Sequence, residues 1–360
     1  MFASRFVARG DDVATRDVAR VHGCIIDIDD VASEGTWSRQ LIRTLARDAR
    51  EVRRGRGHKK TKAYVESLPR ERRACGLAYD ERAVRALMHT WDDVKARDDV
   101  VMFERQTQRA FAEERANDQE LTEEEWRWAT AMVHSRTFRL EDEYGRRPTR
   151  RALIPDMDMF NHSSSEANCE WKSNGETFVV SATRDVKSGE ELFLSYGNQC
   201  DGHFMLFYGF LPEPNPNNRV RLFDNGAHAL DWYQALCGVA RDDGAWENEK
   251  KRVNRAFENK FCVYRPDGSG LLRRVGLEGL FLGDKGVVDE SLIWILTEIA
   301  GVEDVAIAAI RARALEVIDT MERTNALIER AFVENNVSSQ NIALMREFRR
   351  RKANLLRQVV

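Results

Sequence analysis

A chain of 360 residues with 42% hydrophobic and 32% charged side chains can bury a sizeable core, and its 7 prolines and 22 glycines exclude collagen-like, low-complexity and disordered classes. Its 56 basic and 59 acidic residues leave a net charge of −3, without the basic excess of a dedicated nucleic-acid binder. No run approaches the ~18–20 apolar residues of a membrane-spanning helix. The six cysteines, Cys24, Cys75, Cys169, Cys200, Cys237 and Cys262, form no CxxC pair. In a chain of this length they read as free thiols of a reducing compartment, not as a disulfide framework or a cysteine-built metal site. Asp11 and Asp12 directly follow a short basic start, which suits neither a transit peptide nor a secretory signal. The expected location is cytoplasmic, with the chloroplast as the alternative if a leader precedes this chain.

Four zones follow in order. The first, to about residue 32, holds a strand candidate, Gly23-Cys-Ile-Ile-Asp-Ile28. The second, about 37–128, is helical and charged. Within it Arg47 to Lys60 is a basic run broken by Gly55 and Gly57. It lacks the interleaved aromatics of a nucleic-acid platform and reads as a solvated loop between two helices. The third zone, about 130–222, carries an alternating strand, Thr177-Phe-Val-Val-Ser-Ala, then a Lys187-Ser-Gly-Glu190 turn and a second strand, Glu191-Leu-Phe-Leu-Ser-Tyr196. Pro212, Pro214 and Pro216 close it with a stretch that cannot be a central strand. The fourth zone, about 223–360, is mostly helix. Ser291-Leu-Ile-Trp-Ile-Leu-Thr-Glu-Ile299 begins one helix. The last starts at Ser338 or Ser339 as N-cap and groups Ile342, Met345, Phe348, Leu355, Leu356 and Val359 on related faces.

Phosphate loops, GxSxG elbows and HExxH pairs are absent from the sequence. The informative span is Leu153-Ile-Pro-Asp-Met-Asp-Met-Phe-Asn-His-Ser163, then Gly189-Glu-Glu-Leu-Phe-Leu-Ser-Tyr-Gly197, then Tyr208-Gly-Phe-Leu-Pro212. Asp158, Asn161 and His162 beside apolar residues form either a ligand site or a turn that satisfies itself, because buried amides and imidazoles must be paired.

This span resembles the catalytic half of SET-domain protein methyltransferases, and most of all the branch of the Rubisco large-subunit lysine methyltransferase. Tyr64-x-x-Ser-Leu-Pro69 resembles that branch's helical insertion, Ser135-Arg-Thr-Phe138 its Ser-Arg-x-Phe element, and Arg346 to Leu356 the end of its helical C-terminal domain. The resemblance implies an α+β fold. A β-rich SET core (about 1–32 and 130–222, within a domain 1–222) is interrupted by a helical insertion (about 37–128). An all-helical C-terminal domain of substrate-binding type (223–360) follows.

The implied activity is S-adenosylmethionine-dependent methylation of a lysine amine on a non-histone protein by a monomeric enzyme. The protein substrate docks on the C-terminal domain; nucleic acid, membrane and metal have no part. Carried over residue by residue, Tyr196 is the catalytic tyrosine. Asn161, His162, Arg136, Phe210 and Gly10 lie on the cofactor side, and Phe138, Asp158, Leu194 and Tyr208 line the lysine channel. Asp158 acts there through its backbone carbonyl. A related branch methylates a histidine of actin and has asparagine in place of Phe138 and tryptophan in place of Met157. An aromatic wall suits a lysine stem, whereas an imidazole wants a hydrogen-bond partner.

The front of the pattern departs from the family. Val13-Ala-Thr-Arg-Asp17 matches its strand, but the turn before it, Arg9-Gly10-Asp11-Asp12, has one glycine where the family has two. Asp201 and His203 replace the usual Asn and Glu. Two alternatives follow: a histidine-directed enzyme of the same branch, and a SET-fold interaction protein that has lost cofactor binding.

Overall fold

A computed structural model describes residues 17–22, 26–29, 36–72, 75–90, 96–140, 150–173, 177–238, 244–261, 263–266, 272–275 and 279–360. The chain divides into two compact units, 1–85 with 98–216, and 86–97 with 217–360.

The first unit opens with strands β1 (Asp17–His22) and β2 (Ile26–Asp29), then helices α1 (Thr36–Arg53) and α2 (Lys59–Ser67). A 3₁₀ turn, Leu77–Tyr79, leads to α3 (Glu81–Thr90), whose second half falls in the other unit, and then come α4 (Ala96–Asn117) and α5 (Glu123–Arg136). Strands β3 (Thr137–Leu140), β4 (Arg150–Leu153), β5 (Asn161–His162), β6 (Cys169–Ser173), β7 (Thr177–Ala182) and β8 (Phe193–Leu194) complete the β part. They form three small sheets, β1-β7-β6 and β2-β4-β3, both antiparallel, and the parallel pair β5-β8. Strand β7 keeps the alternation read from its sequence: Phe178, Val180 and Ala182 are buried and the residues between them half-buried. Only the middle of Glu191-to-Tyr196 pairs as a strand, because β5, its partner, is two residues long.

The helical insertion packs as its periodicity requires. Leu41, Ile42, Leu45 and Ala46 of α1 share a core with Trp126, Ala129, Met132 and Val133 of α5. Helix α5 starts with a capping box in which the Thr122 hydroxyl accepts the Glu125 N–H and the Glu125 carboxylate accepts the Thr122 N–H, both at 3.2 Å. Half of the basic run expected as a loop is the end of α1. Ala49, Arg50 and Val52 face inward, the Arg50 guanidinium pairs with Asp118, and Arg53 reaches Glu125 at 2.9 Å. The acidic partners of Arg50, Arg53 and Arg54 lie 66–72 residues away in sequence, so the run alone looks like an exposed excess of charge.

After α6 (Asp201–His203), a single turn in the first unit, the second unit carries β9 (Arg219–Phe223), α7 (Gly226–Cys237), α8 (Gly244–Phe261), β10 (Val263–Pro266), β11 (Leu272–Val275), β12 (Leu280–Gly283), α9 (Glu290–Ala300), α10 (Glu303–Glu334) and α11 (Ser339–Arg357). It is mainly helical, but the all-helical domain expected is corrected by two two-stranded sheets among the described residues, β12-β9 and β10-β11. Ser338 caps α11 through its hydroxyl, which accepts the Asn341 N–H at 3.2 Å, and Met345, Phe348, Leu355 and Leu356 are its buried apolar side chains.

A candidate active site around Tyr196

The local path of the chain explains how the site is built. Pro155 disfavours a helical Ile154, and Asp156 then takes φ +67° and ψ −40°, the centre of a γ-turn closed by the Met157 N–H on the Pro155 carbonyl at 2.8 Å. A 3₁₀ turn, Met157–Met159, follows and releases the chain into β5. Parallel pairing of Asn161 with Phe193 and of His162 with Leu194 brings the Asn-His segment against the one that ends in Tyr196. Asn168, fully buried, holds the second segment: its side chain accepts the Phe193 N–H and donates to the Glu191 carbonyl, both at 2.8 Å.

Two hydrogen bonds then place Tyr196. Its hydroxyl donates to the Phe160 carbonyl, and its backbone N–H donates to His162 Nδ1 at 3.0 Å. Because Nδ1 accepts, the proton of the neutral ring sits on Nε2, which is 2.8 Å from the Ser164 hydroxyl. Burial lowers the His162 pKa to about 4, so the ring stays neutral above that pH. Burial raises the Tyr196 pKa, against a smaller opposite pull from Arg136, so its hydroxyl keeps its proton across the physiological range.

An aromatic cluster surrounds these two residues. After the single turn α6 (Asp201–His203) the chain forms a π-helical turn, Phe204–Tyr208, closed by the Gly209 N–H on the Phe204 carbonyl at 2.8 Å. His162 stacks on Phe204 at 4.5 Å and 21°, and Tyr196 lies 5.0 Å from His162 and 5.2 Å from Tyr208. Phe210 joins through Phe204 at 5.3 Å and His162 at 6.2 Å. Two glycines let the Cys75-Gly76 backbone press on this turn. Gly209 has φ +79°, and a Cβ there would lie 2.9 Å from the Cys75 carbonyl oxygen; one on Gly76 would lie 2.4 Å from that of Leu206. Replacing Gly76 by alanine is therefore expected to destabilise the fold by about 1–3 kcal/mol through forced backbone displacement. Urea unfolding checks this, and an unchanged midpoint would show that the segment can retreat freely.

The remaining expected residues fall into two further groups. Asp158 is buried. Its Oδ2 accepts the Tyr64 hydroxyl at 2.7 Å, its backbone carbonyl accepts from Arg136 Nη1 at 2.7 Å, and the same Nη1 lies 3.8 Å from Oδ2. Burial drives the Asp158 pKa up to about 6 despite the opposing effects of Arg136 and Tyr64. Phe138 meets Trp171 edge-to-face at 5.3 Å and packs on the core that contains the buried Leu194 and Met157, whereas the ring neighbours of Tyr196 are His162 and Tyr208. The Asn161 side chain donates to Glu191 at 2.7 Å. Gly10 and the Arg9-to-Asp12 turn lie outside the described residues. Tyr64, Asn168, Trp171 and Phe204 were not singled out as site residues. Tyr64 stands in the Tyr-x-x-Ser-Leu-Pro motif, while the other three carry no local signal.

The SET-domain family model matches residues 1–197, more than half of the chain. The chain belongs to the SET-domain family. Its fold is also that of solved SET structures. It covers 97% of this chain and 82% of the SET domain of LSMT bound to lysine and AdoHcy, with a TM-score of 0.58 at 13% identity. Coverage is the same for Rubisco LSMT bound to AdoMet, with a TM-score of 0.59, also at 13% identity. Among curated relatives, the actin-histidine N-methyltransferase of Canis lupus familiaris is 30% identical over 171 residues, and that of Homo sapiens 29% over 171 residues. These alignments cover 44% of this SET-family chain and 28% of the length of each relative. No described helix is long and apolar enough to cross a membrane.

Proposed function

We propose that this SET-family chain is an S-adenosylmethionine-dependent protein methyltransferase that acts on a lysine side chain of a non-histone protein. The observation that carries the reading is the Tyr196 hydroxyl, held at the Phe160 carbonyl beside a neutral His162 and Tyr208, whose rings pack in turn on Phe204 and Phe210. Such a site fits a sulfonium cofactor. Aromatic faces and acceptor oxygens attract a cation, and an uncharged His162 does not oppose one. When bound, S-adenosylmethionine supplies an electrophilic methyl group.

The protein's own residues then have three tasks. Asn161, His162, Arg136 and Phe210 hold the cofactor side, with Gly10 carried over from the family pattern. Tyr196 donates a hydrogen bond from its hydroxyl to the Phe160 carbonyl and orients the reacting groups without acting as a base, since its proton is held tightly. Phe138, Leu194 and Tyr208, with the Asp158 carbonyl, form the channel for the substrate stem. A free lysine has a pKa of about 10.4; an apolar channel beside a cation lowers it and releases the neutral amine that attacks. Because Tyr196 keeps its own proton, the methylated amine would release its proton to solvent.

The side chain at position 138 favours lysine over histidine. The Phe138–Trp171 pair offers an aromatic wall and no hydrogen-bond acceptor for an imidazole. Histidine methylation is the second reading, favoured by the names of the curated relatives. Methyl-labelled S-adenosylmethionine, incubated with the chain and a protein extract or purified actin, decides between them after acid hydrolysis and amino-acid analysis. Labelled methyl-lysine is expected; labelled methylhistidine from actin would establish the second reading. Changing Phe138 to asparagine should lower lysine labelling by about 10–200-fold, the range for one altered pocket contact. Undiminished labelling would sink the channel assignment. The protein substrate is proposed to dock on the helical second unit.

A further inference from the structure

The buried carboxyl of Asp158 sits where three segments of the first unit meet. Its side chain has no solvent exposure, and Oδ1 has no hydrogen-bond partner among the described residues. Oδ2 is met by the hydroxyl of Tyr64, a side chain on α2 that lies 94 residues earlier and is itself buried. Arg136, at the end of α5, is bonded to the Asp158 carbonyl and stands 3.8 Å from Oδ2. Two residues on, the Phe160 carbonyl accepts the Tyr196 hydroxyl, and one residue later Asn161 enters β5.

We propose that Tyr64 and Asp158 are positioning residues of the Tyr196 site. Through them the helical insertion clamps the Met157–Met159 turn, and the clamp holds only while Asp158 is ionised. This rests on the methyltransferase reading for what the site does, though not for the clamp itself. A carboxylate accepts the Tyr64 hydrogen bond and attracts Arg136; a neutral acid accepts more weakly and loses the attraction. The turn would then be free to shift the Phe160 carbonyl and the adjoining Asn161, and with them both Tyr196 and the cofactor side of the site.

The groups that face Asp158 do not titrate where it does. Tyr64 on α2 and Tyr196 after β8 are raised by burial above their ordinary values, and so is Tyr208 beside Tyr196. Cys75, near Arg136, is raised as well, and His162 is lowered to about 4. The Arg136 guanidinium on α5 favours ionisation of Asp158, and the Asp156 carboxylate of the same turn disfavours it. Asp158 alone of these is driven to about 6.

Because this acid is raised on folding, the folded chain binds the proton more tightly than the unfolded one. Asp158 therefore lowers stability progressively as pH rises from its unfolded pKa of about 3.9 to its folded value of about 6. The clamp trades that stability for placement.

The test uses the full chain and two variants, Tyr64→Phe and Asp158→Asn, with S-adenosylhomocysteine as the probe. Calorimetric affinity of the unmodified chain should fall below pH about 6, approaching about tenfold per pH unit if only the ionised form binds. In Tyr64→Phe the step should move to higher pH, because the lost hydrogen bond favoured the carboxylate. In Asp158→Asn it should vanish, with weak, pH-independent affinity. In parallel, thermal unfolding from pH 4 to 8 should show Asp158→Asn gaining on the unmodified chain as pH rises to 6, then running level. The same step in all three proteins, or an unfolding difference without inflection, would overturn the clamp. A chain that binds no S-adenosylhomocysteine at any pH ends the methyltransferase reading; the unfolding inflection and its upward shift in Tyr64→Phe then decide the clamp alone.

Discussion

Tyr196→Phe is expected to abolish most methyl transfer while leaving a folded protein that still binds S-adenosylhomocysteine. The substitution removes one oxygen and its hydrogen bond to the Phe160 carbonyl but keeps the ring against His162 and Tyr208. Loss of one such bond costs about 1 kcal/mol of stability. Loss of a placed donor at a reacting centre costs about 10²–10³ in rate. The effect belongs in kcat, because the hydroxyl is proposed to act on the reacting groups and not on cofactor binding. Single-turnover transfer of labelled methyl, with calorimetry of S-adenosylhomocysteine on the same sample, separates these quantities. A variant within threefold of the parent rate would remove Tyr196 from the chemistry. A variant that lost binding equally would make the tyrosine part of the cofactor shelf instead.

Phe204→Ala should be the most damaging single change to the site's scaffold. The Phe204 ring is fully buried, stacks on His162, and touches Tyr208 and Phe210 at 5.6 and 5.3 Å. Truncating a buried phenylalanine costs about 3–5 kcal/mol, from lost transfer energy plus the void left behind. Two groups that meet across that ring lose their shared support: His162, whose Nδ1 receives the Tyr196 N–H, and Phe210 on the proposed cofactor side. Cofactor affinity should fall with stability, in contrast to Tyr196→Phe. Urea unfolding followed by tryptophan fluorescence measures the first, calorimetry the second. A loss below about 1 kcal/mol would mean that the π-helical turn collapses onto the gap.

The fold was legible wherever a local pattern reports a local structure. Alternation marked β7, the Ser338 cap marked the start of α11, and the apolar rhythm of Ser291 to Ile299 marked α9. The candidate site was legible as motifs: the Asn-His segment, Tyr196 and the Tyr208-Gly-Phe210 element lie together in the structure. The four strands of the second unit passed unread, though Asp267-Gly268 between two β-prone runs is a hairpin signal. The end of α1 passed for a loop because two glycines and a run of arginines hide its inward face. Asn168 offered no pattern at all. An asparagine that bonds a backbone 25 residues away looks like any other until the strands are in place.

The sequence by itself determined which side chains are available, where helices and strands with a clear local pattern begin, and which family the chain resembles. Composition, periodicity and motif spacing are properties of neighbours along the chain. Tertiary structure alone decided the state of those side chains. It placed a tyrosine of the insertion on the carboxyl of Asp158, made His162 a neutral acceptor for the Tyr196 N–H, and set Phe138 against Trp171. Burial and partner distance set pKa values and hydrogen-bond direction. Both come into being only when segments up to 94 residues apart are packed together.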